Sequence, residues 1–375
     1  MSSQVYFAPA RVKRWDFSAS QMAGLERLID KLDFGSGIAK GEYVAVKTHF
    51  GSLGAHRIVR PCFLRALVDA IKSAGGKPFV CDTVRIQGWD YLEVANQNGI
   101  NPQSVGCPVI LADGLFGCDS IEVQAGSVLG SVRVASAIYD APAMVVVSHC
   151  KGHIGAGYGG AIKNLAMGGV AGRHRSGDWK QARGHLHAAG AESSITRDPE
   201  LCTLCMQCMH VCPTDAISEV DGGLVVDDEK CWRCGRCERV CPEGAIRLEK
   251  RGEDEFQMAL AEGAKAVLST FEPGKVLYFN FVLEVQPECD CMPGADTPIV
   301  QDQGILASRD IVAAEQAALD LINNGVPLPG SLAEDRLVKA GQRVLANTLG
   351  VDGQLHLDAA AQIGMGSREY ELIEL

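Results

Sequence analysis

Short apolar runs alternate with amphipathic segments on both sides of a cysteine-rich stretch in this chain. Five strand-like runs precede that stretch: Tyr43–Lys47, Pro78–Cys81, Pro108–Leu111, Ser131–Ala135 and Ala143–Ser148. Four segments with apolar residues at helical spacing lie between or beside them: Ser20–Leu32, Phe63–Ala74, Trp89–Asn98 and Ile162–Met167. Alternating strands and helices predict an α/β fold, a mostly parallel sheet with flanking helices. The stretch Ile121–Val134, with a turn signal at Ala125–Gly126, is instead typical of a hairpin.

The same alternation resumes after the cysteines. It predicts a helix over Phe256–Leu268, a long strand over Lys275–Glu284, a short strand over Pro298–Gln301 and a helix over Ser308–Asn323. The cysteine-rich stretch therefore interrupts one α/β domain, and two separate α/β domains are the alternative. We expect residues 1–192 to form the first part, 193–252 an insert, and 253–375 the second part with a C-terminal helical extension.

Eight of the fifteen cysteines form two identical cassettes of the pattern C-x2-C-x2-C-x3-C-P. Each cysteine of the second cassette lies 29 residues after its counterpart in the first. This is the bacterial ferredoxin run, in which the fourth cysteine ligates the other cluster. One [4Fe–4S] cluster is thus expected on Cys202, Cys205, Cys208 and Cys241, and a second on Cys231, Cys234, Cys237 and Cys212.

Other uses of these cysteines fit the spacing less well. A zinc ribbon uses two C-x2-C pairs and not two triples. A disulfide framework needs an oxidising compartment, for which the sequence has no signal. Residues 195–250 resemble the bacterial-type ferredoxins with two [4Fe–4S] clusters, which implies an inserted α+β ferredoxin domain.

Composition narrows the class of partner. With 375 residues and 47% hydrophobic content the chain is long enough for a substantial core. The net charge of −11 argues against nucleic acid and is compatible with a basic redox partner protein. No apolar run approaches the roughly 18 residues of a membrane span, and the N-terminus has no apolar signal core. We expect a cytoplasmic protein of anaerobic surroundings.

Reactive side chains collect where the predicted strands end. Lys47 and His49 follow the first strand, and His149, Cys150, Lys151 and His153 follow the most apolar one. Because the carboxyl ends of parallel strands converge on one crevice, we predict a working site there. The candidate catalytic residues are Lys47, His49, Cys150, His153 and Lys163. Cys289 and Cys291 follow the long strand and are candidate ligands of a third metal, although C-x-C alone is an incomplete ligand set.

A glycine-rich turn leads into the predicted helix at Ile162. Such a turn presents backbone N–H groups to an anion. The candidate ligand-binding residues are Gly157, Gly159, Gly160 and Asn164, with Lys163 adding a charge. The turn matches neither a Walker A loop nor a dinucleotide fingerprint, and a flexible connector is the alternative.

Taken together, these residues resemble the family of domain of unknown function 362 (DUF362). The matching motifs are Lys47-x-His49, Cys150-Lys-Gly-His153, Gly160–Gly168, Cys289-Asp-Cys291 and Ile299–Ala313. The resemblance implies an α/β body with an inserted two-cluster ferredoxin, up to about residue 325. It implies no reaction.

Three functions fit these patterns. The first is an iron–sulfur electron-transfer protein whose two clusters serve a redox site in the α/β crevice, where a metal or an anionic small molecule binds. The second is a non-catalytic electron carrier or assembly factor that docks on a larger oxidoreductase. The third is a metal-dependent non-redox enzyme in which the clusters are structural.

Overall fold

The central feature of the fold is an eight-stranded sheet. The computed structural model describes residues 2–85, 88–176, 181–187, 195–212, 215–227, 230–231, 236–248 and 251–375. The strands are β1 Ser3–Pro9, β2 Tyr43–Lys47, β3 Lys77–Asp82, β4 Val109–Leu111, β5 Ser120–Gln124, β6 Ser131–Ala135, β7 Ala143–His149, β8 Lys151–His153, β9 Gly157–Gly159, β10 Ile195–Arg197, β11 Ile217–Val220, β12 Gly223–Val226, β13 Ile246–Leu248, β14 Val276–Val282, β15 Gly304–Ser308 and β16 Tyr370–Glu374.

The sheet has the order β16-β1-β15-β14-β7-β2-β3-β4. Strand β15 pairs antiparallel with both of its neighbours, and the other pairs are parallel. The pairing of β7 with β14 joins the chain before the cysteine-rich stretch to the chain after it. The two parts therefore build one mostly parallel α/β sheet, with β14, β7, β2 and β3 side by side at its centre.

Helices cover both faces of this sheet. They are α1 Gln21–Leu32, α2 Phe34–Gly37, α3 Pro61–Ser73, α4 Gly88–Gln97, α5 Pro102–Val105, α6 Ser136–Tyr139, α7 Ala161–Gly168, α8 Gln207–His210, α9 Arg236–Val240, α10 Glu253–Leu268, α11 Ile311–Asn323, α12 Leu332–Asp335, α13 Val344–Leu349 and α14 Gln354–Gln362. Local chemistry sets several helix starts. Ser20 caps α1 through the N–H of Ala23, and Asp310 caps α11 through two backbone N–H groups.

Side-chain alternation along the strands divides the core between the two faces. In β7, Met144 and Val146 pack on the face covered by α7, α10 and α11, and Val145 and Val147 pack on the face covered by α1 and α3. Every residue of β7 and β14 is buried. Continuous apolar strands covered on both faces are what a parallel sheet requires.

The cysteine-rich stretch forms a small unit with two similar halves, whose equivalent residues are 29 positions apart in sequence. Strand β10 pairs antiparallel with β13, and β11 pairs antiparallel with β12. The N–H of Asp198 donates to the carbonyl of Ala245 at 2.8 Å, and the N–H of Asp227 donates to the carbonyl of Ala216 at 2.7 Å. The two donors are 29 residues apart in sequence, and so are the two acceptors, so the two halves exchange equivalent contacts about an approximate two-fold axis.

Several elements differ from the sequence expectation. Strands β1 and β16 were not expected, and the C-terminal extension is helical only up to Gln362. Ser131–Ala135 pairs with β5 in a separate hairpin. The expected strand Pro298–Gln301 was wrong, because only Val300 makes an isolated bridge there, to Pro327. Strand β15 takes Ser308, so α11 begins three residues later, at Ile311.

Among the described residues, no helix combines the length and apolarity that crossing a membrane requires.

Candidate functional site

The ends of the four central strands bring the predicted reactive side chains to one edge of the sheet. Lys47 ends β2, Asp82 ends β3 and His149 ends β7, and these strands are neighbours. The segment that carries Cys289 and Cys291 follows β14, which is the next strand. We call the space between these groups the crevice.

Asp82 organises one side of the crevice. Its carboxylate lies 2.9 Å from Lys47 Nζ and 2.9 Å from His49 Nδ1, and it accepts a 2.6 Å hydrogen bond from Tyr91. The N–H of Phe50 also donates to it, at 3.2 Å. Burial alone raises the pKa of Asp82, but Lys47 and the bond from His49 hold it well below its usual range. Asp82 is thus a charged, buried anchor for Lys47 and His49.

His49 is oriented as a proton acceptor. With Nδ1 bonded to Asp82, its buried Nε2 has no hydrogen-bond partner among the described residues. Burial lowers the pKa of His49, although Asp82, Cys289 and Asp290 oppose the effect. The ring is therefore neutral near pH 7, and Nε2 carries the free lone pair. A carboxylate that holds an imidazole in this way is the usual arrangement of a general base.

Asp290 organises the opposite side. His149 Nδ1 and Lys151 Nζ lie 2.8 Å and 2.9 Å from its two oxygens, and Gln286 donates to it at 3.2 Å. Its side chain is 1% exposed. Burial raises the pKa of Asp290, but Lys151 and His149 bring it well below the usual range. Because Asp290 stands between Cys289 and Cys291, this anchoring also fixes the backbone that joins the two cysteines.

Cys289 and Cys291 face cationic side chains. Lys163 Nζ lies 2.9 Å from Cys289 Sγ, and Arg85 interacts electrostatically with Cys291. A hydrogen bond with Cys289, helped by Arg85 and Lys163, holds the pKa of Cys291 well below that of a free thiol, although burial opposes it. The same hydrogen bond, together with burial, raises the pKa of Cys289 to about 12. The surroundings thus favour the thiolate form at Cys291 over Cys289.

A third metal at these two cysteines stays a prediction. In the part of the chain that the structure describes, no three side chains of His, Cys, Asp or Glu are grouped as ligands of one ion. Lys163 donates to Cys289, and Arg85 interacts electrostatically with Cys291. These two cations come in addition to Lys47 and Lys151, whose charges Asp82 and Asp290 balance, and they favour an anion.

The glycine-rich turn does not present its amides to the crevice. The N–H groups of Ala161 and Ile162, at the start of α7, donate to the buried carboxylate of Glu315 at 2.8 and 3.2 Å. A Cβ on Gly160 would lie 2.2 Å from Glu315 Oε1, which explains that glycine. Gly157 packs against the backbone of residues 351–353. The expected use of Gly157 and Gly160 as an anion cradle is therefore corrected: Glu315 already occupies the helix N-terminus.

Gly159, Asn164 and Cys150 have different surroundings. Gly159 faces Lys163 and Lys151, at the crevice. The Asn164 amide accepts a 2.6 Å bond from Lys47 and donates to Ser148 at 3.0 Å, so Asn164 positions Lys47 and contacts β7. Cys150 is fully buried and accepts a hydrogen bond from Tyr158 at 3.2 Å. Burial raises the pKa of Cys150 well above its usual value, which is typical of an inert structural thiol.

His153 and Lys163 lie where the cysteine-rich unit joins the sheet domain. His153 Nδ1 accepts from the N–H of Ala156 at 2.9 Å, and burial with the nearby charges of Lys163 and His187 keeps its pKa well below the usual value. His187 and Arg251 flank the unit in sequence, and the N–H of Arg251 donates to the carbonyl of His187 at 3.3 Å. The ring of His187 stacks on Phe256 at 5.0 Å. We call the contacts of His187 with Arg251 and Phe256 the neck.

Four of the cassette cysteines line one pocket. Cys202, Cys205 and Cys208 of the first triple lie around it together with Cys241, the fourth cysteine of the second cassette. They are not grouped around a single point. A cubane binds each cysteine to a different iron, so its ligands surround a volume and not one ion. Of the other set, Cys212, Cys231 and Cys237 are described, and Cys234 lies outside the described residues.

The backbone beside this pocket includes two residues in the left-handed region. Leu204 and Met206 have φ values of 52° and 60°, which cost about 1–3 kcal/mol each for residues other than glycine. The sulfurs of Cys212 and Cys241 accept N–H bonds from Ala216 and Ala245 at 3.3 and 3.2 Å, at equivalent positions of the repeat.

Sequence reasoning missed several residues of the crevice. Asp82, Tyr91, Arg85 and Glu315 are not among the candidates predicted from the sequence. A lone acid in the otherwise apolar face of α11 is the one local signal for Glu315. Tyr91 and Arg85 have no such signal, because only the folded chain shows that Tyr91 donates to Asp82 and that Arg85 interacts electrostatically with Cys291.

Comparison with known proteins identifies a family and a distant structural likeness. The family model described as "Domain of unknown function (DUF362)" matches residues 44–320, which is well over half of the chain. A search of curated proteins gives no match. Among solved structures, the chain is similar to the lactate racemase apoprotein from Thermoanaerobacterium thermosaccharolyticum, at 12% identity, over 99% of this chain and 82% of that chain, with a TM-score of 0.41. A likeness at that level bears on neither the site nor the reaction.

Proposed function

We propose that this chain, which belongs to the DUF362 family, is an oxidoreductase. Two [4Fe–4S] clusters are held by an inserted ferredoxin-type unit. They exchange electrons with a small anionic molecule bound in the crevice. When bound, the clusters supply one-electron transfer. The substrate belongs to the class of carboxylates or phosphorylated compounds, because Lys163 and Arg85 add positive charge beyond the two lysines that Asp82 and Asp290 neutralise.

The fit of the cysteines supports the cluster part of this proposal. Cys202, Cys205, Cys208 and Cys241 would hold one cluster, since they line a common pocket although Cys241 is 33 residues beyond Cys208. The approximate two-fold repeat would place the second cluster on Cys231, Cys234, Cys237 and Cys212. The crossed fourth ligand is what the duplicated spacing requires.

The neck is the observation that carries the link between the two sites. His187 lies at the base of the cysteine-rich unit, and it interacts electrostatically with both His153 and Lys163. Lys163 in turn contacts Cys289. His187 thus couples the base of the unit to a residue of the crevice, which supports electron exchange between the two sites.

The crevice residues have separate tasks in this proposal. Lys163 and Arg85 bind and orient the anionic group. His49 Nε2, held by Asp82 and Tyr91, moves a proton to or from the substrate. Lys47, neutralised by Asp82, and Lys151, neutralised by Asp290, keep the rest of the site fixed. Burial of these pairs excludes water from the reacting groups and strengthens their electrostatic effect.

Metal analysis tests the cluster part. Protein purified without oxygen is expected to contain about eight iron and eight acid-labile sulfide per chain, which follows from two cubanes. Zinc in place of iron, with no sulfide, would show that the cassettes are not ferredoxin cassettes.

Reoxidation of the reduced protein tests the link. The clusters are photoreduced, and their visible absorption is followed after addition of a panel of 2-oxo acids, acyl phosphates and low-molecular-weight disulfides. We expect at least one class to reoxidise wild-type protein, and Lys163→Gln and His153→Ala to slow this reaction at least tenfold with unchanged iron content. Cys62→Ser, an exposed thiol on α3, is the control. Equal rates in all variants would place the electron exit outside the crevice.

A second candidate is a non-catalytic carrier or assembly factor that docks on a larger oxidoreductase. One surface feature favours it: Trp15 is fully exposed and Phe17 is 64% exposed, next to Arg11, Lys13 and Arg14. A chain with complete clusters that no panel member reoxidises, and that loses electron exchange with a partner enzyme on Trp15→Ala, would favour the carrier.

A further inference from the structure

We propose that Cys289 and Cys291 form a redox-active dithiol, which converts reversibly to an intramolecular disulfide in the crevice. This inference deepens the proposed function by naming thiol–disulfide exchange as the chemistry of the site. The direction of that reaction in the cell, oxidation or reduction of the two cysteines, rests on the proposed function. Its existence as a couple does not depend on the clusters.

The backbone brings the two sulfurs together. The N–H of Met292 donates to the carbonyl of Cys289 at 2.8 Å, and the N–H of Cys291 donates to Cys289 Sγ at 3.4 Å. The chain therefore turns at Asp290, which projects away and is held by His149 and Lys151. Two residues apart on a turn lie within the roughly 4.4–6.8 Å between Cα atoms that a disulfide spans.

The surroundings favour the thiolate at Cys291. Lys163 contacts Cys289 directly, and Arg85 interacts with Cys291. Nearby cations favour the thiolate, which is the reactive form. Cys81 is a useful contrast to Cys291: it is fully buried in the core, and burial raises its pKa to about 12.

The exchange reaction balances with a low-molecular-weight disulfide as the oxidant. The Cys291 thiolate attacks one sulfur of the oxidant, the oxidant's S–S bond breaks, and one thiol leaves. Cys289 then loses its proton and attacks Cys291 Sγ, which forms the intramolecular S–S bond and releases the second thiol. The protein loses two electrons and the Cys289 proton, one further proton comes from solvent, and the oxidant becomes two thiols.

His49 is placed to assist the second step. It interacts electrostatically with Cys289, and its Nε2 is unpartnered among the described residues. Transfer of the Cys289 proton to Nε2 would leave an imidazolium next to Asp82, which stabilises the charge.

Thiol trapping tests the proposal on the full-length protein with its metal content intact. Samples are equilibrated without oxygen in mixtures of reduced and oxidised glutathione, quenched in acid and alkylated, and the peptide that contains both cysteines is weighed by mass spectrometry. We expect two alkyl groups in reducing mixtures and none, with the peptide two hydrogens lighter, in oxidising ones. The transition is expected to follow a two-electron curve.

Variants assign the roles. Cys289→Ser is expected to accumulate a glutathione adduct on Cys291, because the resolving thiol is lost. Lys163→Gln keeps both thiols and is expected to move the pH profile of Cys291 alkylation to higher pH. Lys40→Gln, an exposed lysine, is the control and is expected to leave that profile unchanged.

Two results would overturn the proposal. One is double alkylation across the whole glutathione range. The other is one zinc or extra iron per chain that is lost with Cys291→Ser. Iron and sulfide are measured in the same samples, so a failure of the cluster assignment is recorded separately from a failure of the dithiol.

Discussion

The buried ion pair of Lys47 and Asp82 gives the sharpest energetic prediction. Asp82→Asn keeps the size and shape of the side chain but removes its charge. Lys47 is then left charged, with 0% of its side chain exposed and its carboxylate partner gone. The bonds from Tyr91 and His49 to the same carboxylate weaken as well.

The magnitude follows from burial. Breaking a buried pair by removing one partner costs about 3–5 kcal/mol, because the remaining charge is desolvated without compensation. The total stability of a domain is about 5–15 kcal/mol. We therefore expect Asp82→Asn to lose roughly a fifth or more of the free energy of unfolding. Asp69→Asn is the matched control: Arg65 is 2.8 Å away, but both side chains are about half exposed, so the loss is expected to stay below about 1 kcal/mol.

Urea unfolding under anaerobic conditions, followed by far-UV circular dichroism, measures the effect. The double variant Lys47→Met with Asp82→Asn is expected to recover part of the loss, since it removes the unpaired charge. The pKa of Asp82 is lower in the folded state than in the unfolded one, so its stabilisation is present above about pH 4 and is lost as the pH falls further. Asp82→Asn removes that dependence. Equal midpoints for Asp82→Asn and Asp69→Asn would refute the reasoning.

Three further predictions concern the cassettes and the glycine turn. Cys241→Ser is expected to damage the cluster held by the first cysteine triple, so iron falls from about eight to about four per chain while the second cluster persists; loss of the second cluster alone would contradict the crossed ligation. The cluster on Cys231, Cys234 and Cys237 is expected to be reduced first, because three arginines lie between the cysteines of this cassette in sequence and favour the more negative reduced state. These are Arg233, Arg236 and Arg239. A redox titration by EPR that shows unchanged potentials after changing all three to Gln would disprove it. Gly160→Ala is expected to cost about 1–3 kcal/mol in urea unfolding, because its Cβ would meet Glu315 Oε1 at 2.2 Å, whereas Gly252→Ala, with nothing within 4 Å, is expected to be nearly neutral.

Local patterns predicted the elements that are continuous in sequence. The bounds of β2 match the expected Tyr43–Lys47, and the helices over residues 21–32 and 61–73 lie within one or two residues of their expected positions. These elements carry their own signals, namely apolar periodicity, caps and glycine stops. Strands β1 and β16 were missed because they are held by pairing with each other and with β15, across more than three hundred residues.

The features of the candidate site also divide into those that local sequence patterns predict and those that only the fold shows. Lys47, His49, Lys163 and Cys289 were predictable because each follows a strand or begins a helix, and the parallel order β14-β7-β2-β3 brings them to one edge. The glycine turn was assigned to an anion because its spacing shows free N–H groups, yet the carboxylate that satisfies them comes from Glu315, about 150 residues away. Local spacing cannot show the partner of a residue when that partner lies on another helix.

By itself, the sequence determined the identity and spacing of the eight cassette cysteines and the alternation that builds a parallel sheet, because both are properties of neighbouring residues. Only the tertiary structure decided that Asp82 and Asp290 neutralise the crevice lysines, that Cys150 is buried beside Glu315 while Cys289 and Cys291 face Lys163, and that the cysteine-rich unit joins the sheet domain at His187. The physical reason is that charge pairing and burial depend on distance in space, and the order of strands in the sheet sets that distance.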